Sequence, residues 1–519
     1  MKKNRSMVVL AISLAVTSLA FANDIYIGPA AIGANSGADC ADARPVSWFN
    51  TAANWGTGST QIKPGTTVHL CGSITTSLSV QGDGASGNPI VILAESSSSV
   101  QLQGTANTCP IIVNNHSHLI FDGGGVGGTN GILAVLNNGS GMAAHNLVSA
   151  FCNTTSDGDI EIRNWLLGPF YQHLSNTDTT SSADTETNIF ASVGGLSGNL
   201  SIHDNVMHDV GVAIFIGGSN LTNSPVINIY NNYIYNIDWA LGMAPPGGAH
   251  TLSFHDNHVG STVNWDTTMD VFHHDGIHFY EGAGPSSAGT YVYNNLFDGD
   301  WGTCCTTAYI FQEMSPIANY YVFNNVFNET RGNLMPAIEN YWPTVGGLYH
   351  NTFLCAAGGS TNQAISINSA ASNANIENNT FYNCNQFLTF AGSTLPGTVD
   401  YNVYLAQGAG GDDAWGVSTG GYDPPLSTWQ AACSCDAHSI YNATPTLNVD
   451  GSPMTSFPGL STGANLTSIA KGGLAPLASD TSNGKLRTPT MRPASGAWTV
   501  GAFQSALPAP PSITTVTPK

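Results

Sequence analysis

The side chains best suited to chemistry are carboxylates, histidines and aromatic rings between residues 265 and 341. Short segments from this region onward have the alternating pattern of β-strands and can be aligned on an isoleucine. Successive side chains of a strand point to opposite faces, so an inward isoleucine directs the residues one and three positions later outward. The aligned residues are Ile277, Ile310, Ile338 and Ile365, and the outward ones are His278 and Tyr280, Phe311 and Glu313, Glu339 and Tyr341, and Ser366 and Asn368.

Glu313 and Glu339 are the carboxylates of this alignment that could act as an acid–base pair. They fall on neighbouring strands with an offset of two residues, which places their Cα atoms roughly 8 Å apart. Glycosidases use a carboxylate separation of about 5 Å for retention and about 6.5–9.5 Å for inversion, and the alignment allows both. The more enclosed glutamate would serve as the acid. The rings of Tyr280, Phe311 and Tyr341 would bind sugar beside the pair.

His278 and Asp275 extend this catalytic group, and nearby histidines suggest a metal as an alternative. His273, His274 and His278 have a spacing that ligands can have. Adjacent residues of a strand face opposite ways, however, unless the chain bends at Asp275-Gly276. Histidines held in a turn are the more common outcome of such a pattern. We therefore keep His278 and Asp275 as catalytic candidates.

Calcium ligands and a basic residue are also available close by. Asp298 and Asp300 carry the oxygen ligands that calcium prefers, although a D-G-D turn is equally typical of a solvated loop. Trp301 follows this turn and is predicted to contact substrate. Arg331 is one of two basic residues between positions 111 and 405. It is a second predicted substrate contact and the candidate base of a lyase.

A recurring asparagine indicates the architecture that holds these residues. Each occurrence has an apolar side chain three residues before it and another two residues after it, and the occurrences are 23 to 38 residues apart. A pattern repeated at this period is typical of a solenoid, here with β-strand rungs because Tyr, Phe, Val and Ile abound. Rungs stacked about 4.8 Å apart would let the amides bond to each other, at a turn where Asn tolerates left-handed backbone. The positions are Asn205, Asn232, Asn257, Asn295, Asn325, Asn351, Asn379 and Asn402.

The repeat resembles that of the right-handed parallel β-helix superfamily, the pectin lyase-like fold, over residues 111–405. The early segments D-I-Y-I-G-P and K-P-G-T-T-V-H-L are similar to the beginning of many exported members. Asp480, Gly484 and Arg487, followed by G-A-F, resemble a closing element found there, with Thr499 standing where an acid is usual. The resemblance implies an all-β chain: a right-handed parallel β-helix solenoid with an N-terminal cap and a looser C-terminal section. It implies the fold more strongly than an activity.

The charge balance excludes several classes of partner. The first 22 residues carry Lys2, Lys3 and Arg5, an apolar run and A-F-A, which is typical of a bacterial secretory signal. Without them 12 − 3 = 9 basic residues face 33 acidic ones, a formal charge of about −24. Nucleic-acid binding is therefore not expected, and strongly anionic polysaccharides are disfavoured unless a metal bridges the charge. We expect a monomer without a membrane span that is secreted, periplasmic or at the cell surface.

Ten cysteines in an exported chain indicate disulfides. Cys355 and Cys384 follow their repeat asparagines by four and five residues, so we predict that they pair across neighbouring rungs. Cys433 and Cys435, like the adjacent residues 304 and 305, are too close in sequence for an ordinary bridge. The predicted regions are a signal (1–22), an N-terminal region and cap (23–110), the β-helix (111–405), a closing section (406–505) and a disordered Pro-rich tail (506–519).

Three functions of different class remain open. The first is a glycoside hydrolase that needs no cofactor and cleaves a neutral or weakly charged polysaccharide through Glu313 and Glu339. The second is a calcium-assisted polysaccharide lyase that uses His278, Tyr280 or Arg331. The third is a non-catalytic adhesin or carbohydrate-binding surface protein. The scarcity of basic residues favours the hydrolase over the lyase, because a lyase of this fold needs a basic residue beside its calcium.

Overall fold

The computed structural model describes most of the chain beyond the first 23 residues. The described residues are 24–95, 109–125, 149–152, 158–168, 188–192, 195–261, 274–280, 287–301, 306–313, 316–329, 336–341, 344–356, 363–392, 395, 397–410 and 413–505. The predicted signal and Pro-rich tail lie outside these residues. So do His273, Arg331, Cys304 and Cys305 from the sequence predictions.

Most regular structure in the described chain is β-strand. The helices are α1 (Val46–Phe49) and α2 (Leu426–Cys433), with 3-10 turns at Cys40–Asp42, Ala52–Asn54 and Gly472–Ala478. The strands are β1 (Asp24–Gly28), β2 (Arg44–Pro45), β3 (Thr67–Leu70), β4 (Leu78–Ser79), β5 (Ile90–Ala94), β6 (Ile111–Ile112), β7 (Leu119–Asp122), β8 (Phe151–Cys152), β9 (Ile160–Arg163), β10 (Leu166–Leu167), β11 (Asn188–Ser192), β12 (Leu200–His203), β13 (Val206–Gly217), β14 (Val226–Tyr230), β15 (Tyr233–Ala244), β16 (His250–His255), β17 (His258–Val259), β18 (His274–Phe279), β19 (Ser287–Tyr293), β20 (Leu296–Gly299), β21 (Thr306–Gln312), β22 (Ile317–Phe323), β23 (Val326–Glu329), β24 (Ile338–Asn340), β25 (Thr344–Tyr349), β26 (Thr352–Leu354), β27 (Gln363–Ile367), β28 (Asn373–Glu377), β29 (Thr380–Tyr382), β30 (Gln386–Phe390), β31 (Val399–Asp400), β32 (Val403–Leu405), β33 (Trp415–Val417), β34 (Gly420–Tyr422) and β35 (Ile440–Asn442).

The strands form two long sheets. The first sheet has the order β2-β1-β3-β5-β7-β9-β12-β14-β16-β19-β22-β25-β28-β31, and the second contains the remaining strands. Through the middle of the chain each turn adds one strand to the first sheet and two to the second, and each pairs in parallel with its equivalent in the next turn. This is a parallel β-helix. The predicted all-β parallel β-helix is confirmed, and the resemblance to the pectin lyase-like superfamily holds at the level of the fold. The N-terminal cap stays a prediction.

The repeat asparagines form a continuous buried ladder. The Oδ1 atom of Asn325 accepts hydrogen bonds from both the backbone N–H and the Nδ2 of Asn295, at 3.0 and 2.9 Å. The same side-chain link recurs from Asn205 to Asn402, at 2.9 to 3.2 Å. Left-handed backbone belongs to the residue before each ladder asparagine, such as Asn294 with φ 58°, and not to the ladder asparagine as the sequence suggested.

The C-terminal section ends this ladder. Ser439 Oγ accepts the Asn402 backbone N–H at 2.7 Å, and Asp436 Oδ1 lies 3.3 Å from Asn402 Nδ2. Asp436 Oδ2 also accepts hydrogen bonds from Tyr404 and from Trp429 of α2. Burial raises the pKa of Asp436. A carboxylate thus takes the place that the next asparagine of the ladder would hold.

The side chain two residues after each ladder asparagine packs in the interior of the β-helix. Each ring lies on the ring of the next turn, with centroids 4.9 to 5.1 Å apart and planes within 4 to 12°. Offset stacks of this kind stabilise beyond the area they bury. The rings belong to Phe297, Phe327, Phe353, Phe381 and Tyr404.

The stacked turns of the β-helix extend beyond residues 111 and 405, which were the predicted limits. In the first sheet Ile25 pairs with Val68, Val68 with Ile92, and Ile92 with Phe121. Residues 24–94 therefore contribute strands to the helix itself. Their turns lack the asparagine on which the repeat was recognised. At the other end β35 pairs with β32, so the second sheet continues past Leu405.

The disulfides agree with the prediction in one case and correct it in another. Cys355 pairs with Cys384, as predicted. Cys433 and Cys435 were thought too close to pair, but Ser434 has left-handed backbone at the end of α2 and brings their Cα atoms to 5.1 Å. The other described bridges are Cys40–Cys71 and Cys109–Cys152. In the described chain no helix is long and apolar enough to span a membrane.

Candidate active site

The outward face of β18, β21, β24 and β27 carries the predicted site residues. The isoleucines that defined the alignment are buried and pair with each other from strand to strand, as predicted. The inward neighbours Phe279, Gln312 and Asn340 pair in the same register. Two outward rows therefore cross the sheet. The inner row is His278, Phe311, Glu339 and Ser366, and the outer row is Tyr280, Glu313, Tyr341 and Asn368.

A register shift between His274 and Asp275 precedes Gly276, which packs tightly against the interior. A Cβ atom at Gly276 would lie 2.4 Å from the carbonyl oxygen of Tyr309 and 2.9 Å from the ring of Phe297. Only glycine allows the backbone to approach the interior so closely. The shift interrupts the regular pairing of β18 with β21, and Asp275 and His278, three residues apart, contact each other. The irregularity lies one residue before the Asp275-Gly276 position that the sequence suggested for a bend.

His278 is the centre of a carboxylate–histidine–carboxylate chain. Its Nε2 lies 3.0 Å from Glu313 Oε2, and its Nδ1 makes an ion-pair contact of 3.3 Å with Asp275 Oδ2. Asp275 Oδ1 accepts the backbone N–H of Ala308 at 3.1 Å. His278 and Asp275 are buried, whereas 36% of the Glu313 side chain is exposed. The chain of contacts therefore begins at a buried carboxylate and ends at an accessible one.

Both ring nitrogens of His278 have a carboxylate as neighbour. A neutral imidazole has one N–H donor, but both ring nitrogens of His278 face carboxylate oxygens. The second contact becomes favourable when a proton is added. That proton makes His278 an imidazolium or makes Glu313 a carboxylic acid that donates to the imidazole. Asp275 and His278 can therefore supply a proton to Glu313 and take it back.

Glu339 has two neighbours in the outer row. Asn368 Nδ2 donates to Glu339 Oε1 at 2.9 Å, and Tyr341 lies close enough to feel the charge of Glu339. The charge of Glu339 raises the pKa of Tyr341, with smaller contributions from burial and from Glu313. Tyr341 therefore lies within the influence of both carboxylates. Glu339 itself is buried, although the alignment predicted an exposed surface, because neighbouring aromatic rings cover the inner row.

Three aromatic rings contact His278: those of Trp239, Tyr280 and Phe311. Trp239 on β15 meets it edge-on with centroids 4.4 Å apart, and Phe311 lies 5.0 Å away on the other side. Phe311 is buried beneath Tyr341 and presents no free face to a ligand, contrary to its predicted substrate contact. Tyr280 and Tyr341 are 43% and 49% exposed. The two exposed rings are thus the described aromatic side chains of this site that a ligand can reach.

Two site residues were missed by the alignment. Trp239 was missed because β15 carries Leu241, not an isoleucine, at the aligned position. Asp238 was also missed, and its Oδ1 lies 3.4 Å from Nε2 of the buried His274. His274, considered as a metal ligand in the sequence, thus pairs with a carboxylate behind the site. Aligning Leu241 with Ile277, which pair in the register of β15 with β18, would have located both residues.

Three further predicted residues lie away from this site. Trp301 is buried and packs edge-on against Tyr309, and its Nε1 donates to the carbonyl of Asp298. It is a core residue and not a substrate contact, because the turn at Asp298–Asp300 folds its ring inward. The Asp298 carboxylate lies 2.7 Å from His258 Nε2. Within the described ranges no group of three or more His, Cys, Asp and Glu side chains is placed to hold a metal.

No protein-family model and no curated protein matches this sequence. Solved structures do match its backbone. A GH136 lacto-N-biosidase from Eubacterium ramulus is 11% identical with a TM-score of 0.41, over 81% of this chain and 68% of that one. A mannuronic-acid-specific family 6 polysaccharide lyase from human gut microbiota is 12% identical with a TM-score of 0.38, over 76% and 78%. Pectate lyase Pel9A is 11% identical with a TM-score of 0.36, over 90% and 96%. At these identities the activities of those enzymes do not transfer.

Proposed function

We propose that this protein is an exported carbohydrate-active enzyme that hydrolyses a neutral or weakly charged polysaccharide. The observation that carries the proposal is the outer row, in which the accessible carboxylate of Glu313 lies between the exposed rings of Tyr280 and Tyr341. Successive strands are about 4.8 Å apart, so each ring lies about one strand spacing from the carboxylate. Sugar units stacked on the two rings would bring a glycosidic bond over Glu313.

Glu313 is the proposed acid, although Glu339 is the more enclosed of the two. The proton shared along Asp275, His278 and Glu313 can pass to the glycosidic oxygen as the bond to the anomeric carbon breaks. Glu339 accepts a hydrogen bond from Asn368, which suits a carboxylate that acts as base or nucleophile. Water supplies the hydroxyl of the new reducing end. Retention and inversion both fit this pair.

The charges of the site support a neutral substrate. Its described ionisable side chains are the carboxylates of Asp275, Glu313 and Glu339, with His278 and Tyr341 between them. A chain of uronic acids would be repelled unless a cation intervened. Calcium-assisted elimination through His278 or Tyr280 is the second candidate, and non-catalytic binding is the third. Four disulfides among the described residues favour export to an oxidising compartment.

A panel of polysaccharides distinguishes the three candidates. The mature protein is incubated with neutral glucans, xylans and mannans and with polyuronates, with and without a calcium chelator. We expect new reducing ends from a neutral polymer, no ultraviolet-absorbing unsaturated product, and no effect of the chelator. An unsaturated product from a polyuronate would identify a lyase. Retention of the protein by an immobilised polymer without any product would identify a binding protein.

A further inference from the structure

The disulfide at the C-terminal end of α2 differs from the other bridges in the described chain. Those three join residues 29 to 43 positions apart, whereas Cys433 and Cys435 are separated only by Ser434. The entropic stabilisation from a disulfide grows with the length of the loop that it closes. Of the described bridges, this one therefore stabilises the fold least. A role in stability does not explain why the chain has it.

The two cysteines of this bridge lie at a groove in the surface. Cys433 and Cys435 are only partly buried and line a groove with a volume of about 510 Å³. The groove lies between α2 and the last strand of the first sheet, and Val399, Asp400 and Tyr422 form its walls. A thiol on an extended side chain could enter it. Access of an attacking thiolate to sulfur is a requirement for exchange.

A fixed carboxylate lies next to one of the sulfurs. Asp436 Oδ2 is 3.9 Å from Cys435 Sγ. The carboxylate is buried and positioned by hydrogen bonds from Tyr404, Trp429 and Ser439. A carboxyl group at this distance can, when protonated, give its proton to a departing thiolate, and its carboxylate can take the proton back when the disulfide forms again. Cys435 is thus the sulfur with an acid–base group beside it.

We propose that Cys433–Cys435 is a thiol–disulfide exchange site for a dithiol partner. The partner's thiolate attacks Cys433 Sγ, the bond to Cys435 Sγ breaks, and Cys435 leaves and is protonated. The partner's second thiolate then attacks its own sulfur in the mixed disulfide and releases Cys433. The protein disulfide gains two electrons and becomes two thiols, and the dithiol becomes a disulfide. The site is separate from the carbohydrate site and does not depend on its activity.

Differential labelling of the folded, full-length mature protein tests this proposal. The protein is exposed to limiting dithiothreitol, alkylated at successive times and mapped by mass spectrometry, while circular dichroism follows the fold. We expect Cys433 and Cys435 to be labelled about tenfold faster than any other cysteine, with the dichroism unchanged. Earlier labelling of any other cysteine, or labelling only as the protein unfolds, would overturn the proposal.

Two serine variants provide a matched comparison. Replacing both residues (C433S with C435S) should remove the fast labelling phase and leave the circular dichroism unchanged. The control replaces a bridge with a longer loop (C40S with C71S) and should keep the fast phase. Persistence of the fast phase in the first variant, or its loss in the control, would also overturn the proposal.

Discussion

At the scale of a single residue, Glu377 makes stability depend on pH. Burial and the charge of Asp400, its partner on the neighbouring strand, raise the pKa of Glu377 to about 7. A carboxyl whose pKa is higher in the folded than in the unfolded state contributes stability below its unfolded value of 4.5. That contribution is lost as the pH rises through 7. Glu377→Gln should therefore raise Tm by about 1–2 °C at pH 8 and leave it unchanged at pH 4.

Glu161 is the matched control for this measurement, because its pKa shifts the other way. Hydrogen bonding from His203, then the charge of Arg163, lowers the pKa of Glu161 against the effect of burial. Glu161→Gln should lower Tm at pH 8. Calorimetry that gave Glu377→Gln the same effect at both pH values would contradict the account of Glu377.

Alternation along a strand predicted the direction of most site side chains but not their burial. It placed Tyr280, Glu313 and Tyr341 in one row, as observed. It did not predict that Glu339 is covered, because the covering rings come from other strands and from turns. Trp301 was misassigned for the same reason: a residue at a turn can point into the core without breaking any pattern. Such contacts depend on tertiary packing, which the local pattern does not contain.

At the scale of an element, the asparagine ladder is expected to hold neighbouring turns together. Asn325 accepts two hydrogen bonds from Asn295 and donates to Val292, Phe323 and Asn351. Removing its amide leaves several buried polar groups without a partner. Asn325→Ala should lower the free energy of unfolding by about 3 kcal/mol. Urea denaturation followed by circular dichroism measures the change.

Asn448 provides the control for the ladder. It is exposed and bonds only locally, to Ser452. Asn448→Ala should change the free energy of unfolding by no more than about 0.5 kcal/mol. Equal effects of the two alanine variants would show that the ladder is not a source of stability.

The ladder also explains which elements the sequence could predict. Where each turn carries asparagine, from Asn205 to Asn402, the repeat located the strands correctly. The turns before it stack in the same way without that residue, as at Trp165, whose backbone N–H bonds to Asn205 Oδ1. Their strands follow only the alternation of apolar side chains. That signal is too general to assign short strands to a solenoid.

At the scale of the whole molecule, the catalytic candidates share the outward face of the second sheet. The C-terminal section covers part of the first sheet, where Leu477 and Trp498 pack against Phe323 and Tyr349. The catalytic candidates lie on strands of the second sheet. Replacing Glu313 or Glu339 on this face should therefore change turnover, whereas replacing Leu477 or Trp498, which pack against the first sheet, should change stability.

The most direct test of the central claim compares turnover of Glu313→Gln and Glu339→Gln with that of Glu377→Gln on the cleaved polysaccharide. Each substitution replaces a carboxyl by an amide of the same shape, and Glu377 lies on the first sheet. We expect turnover to fall ~10²–10⁴-fold in the first two variants and to stay at the wild-type level in the third, with folding retained in all. Wild-type turnover in both Glu313→Gln and Glu339→Gln would contradict the central claim.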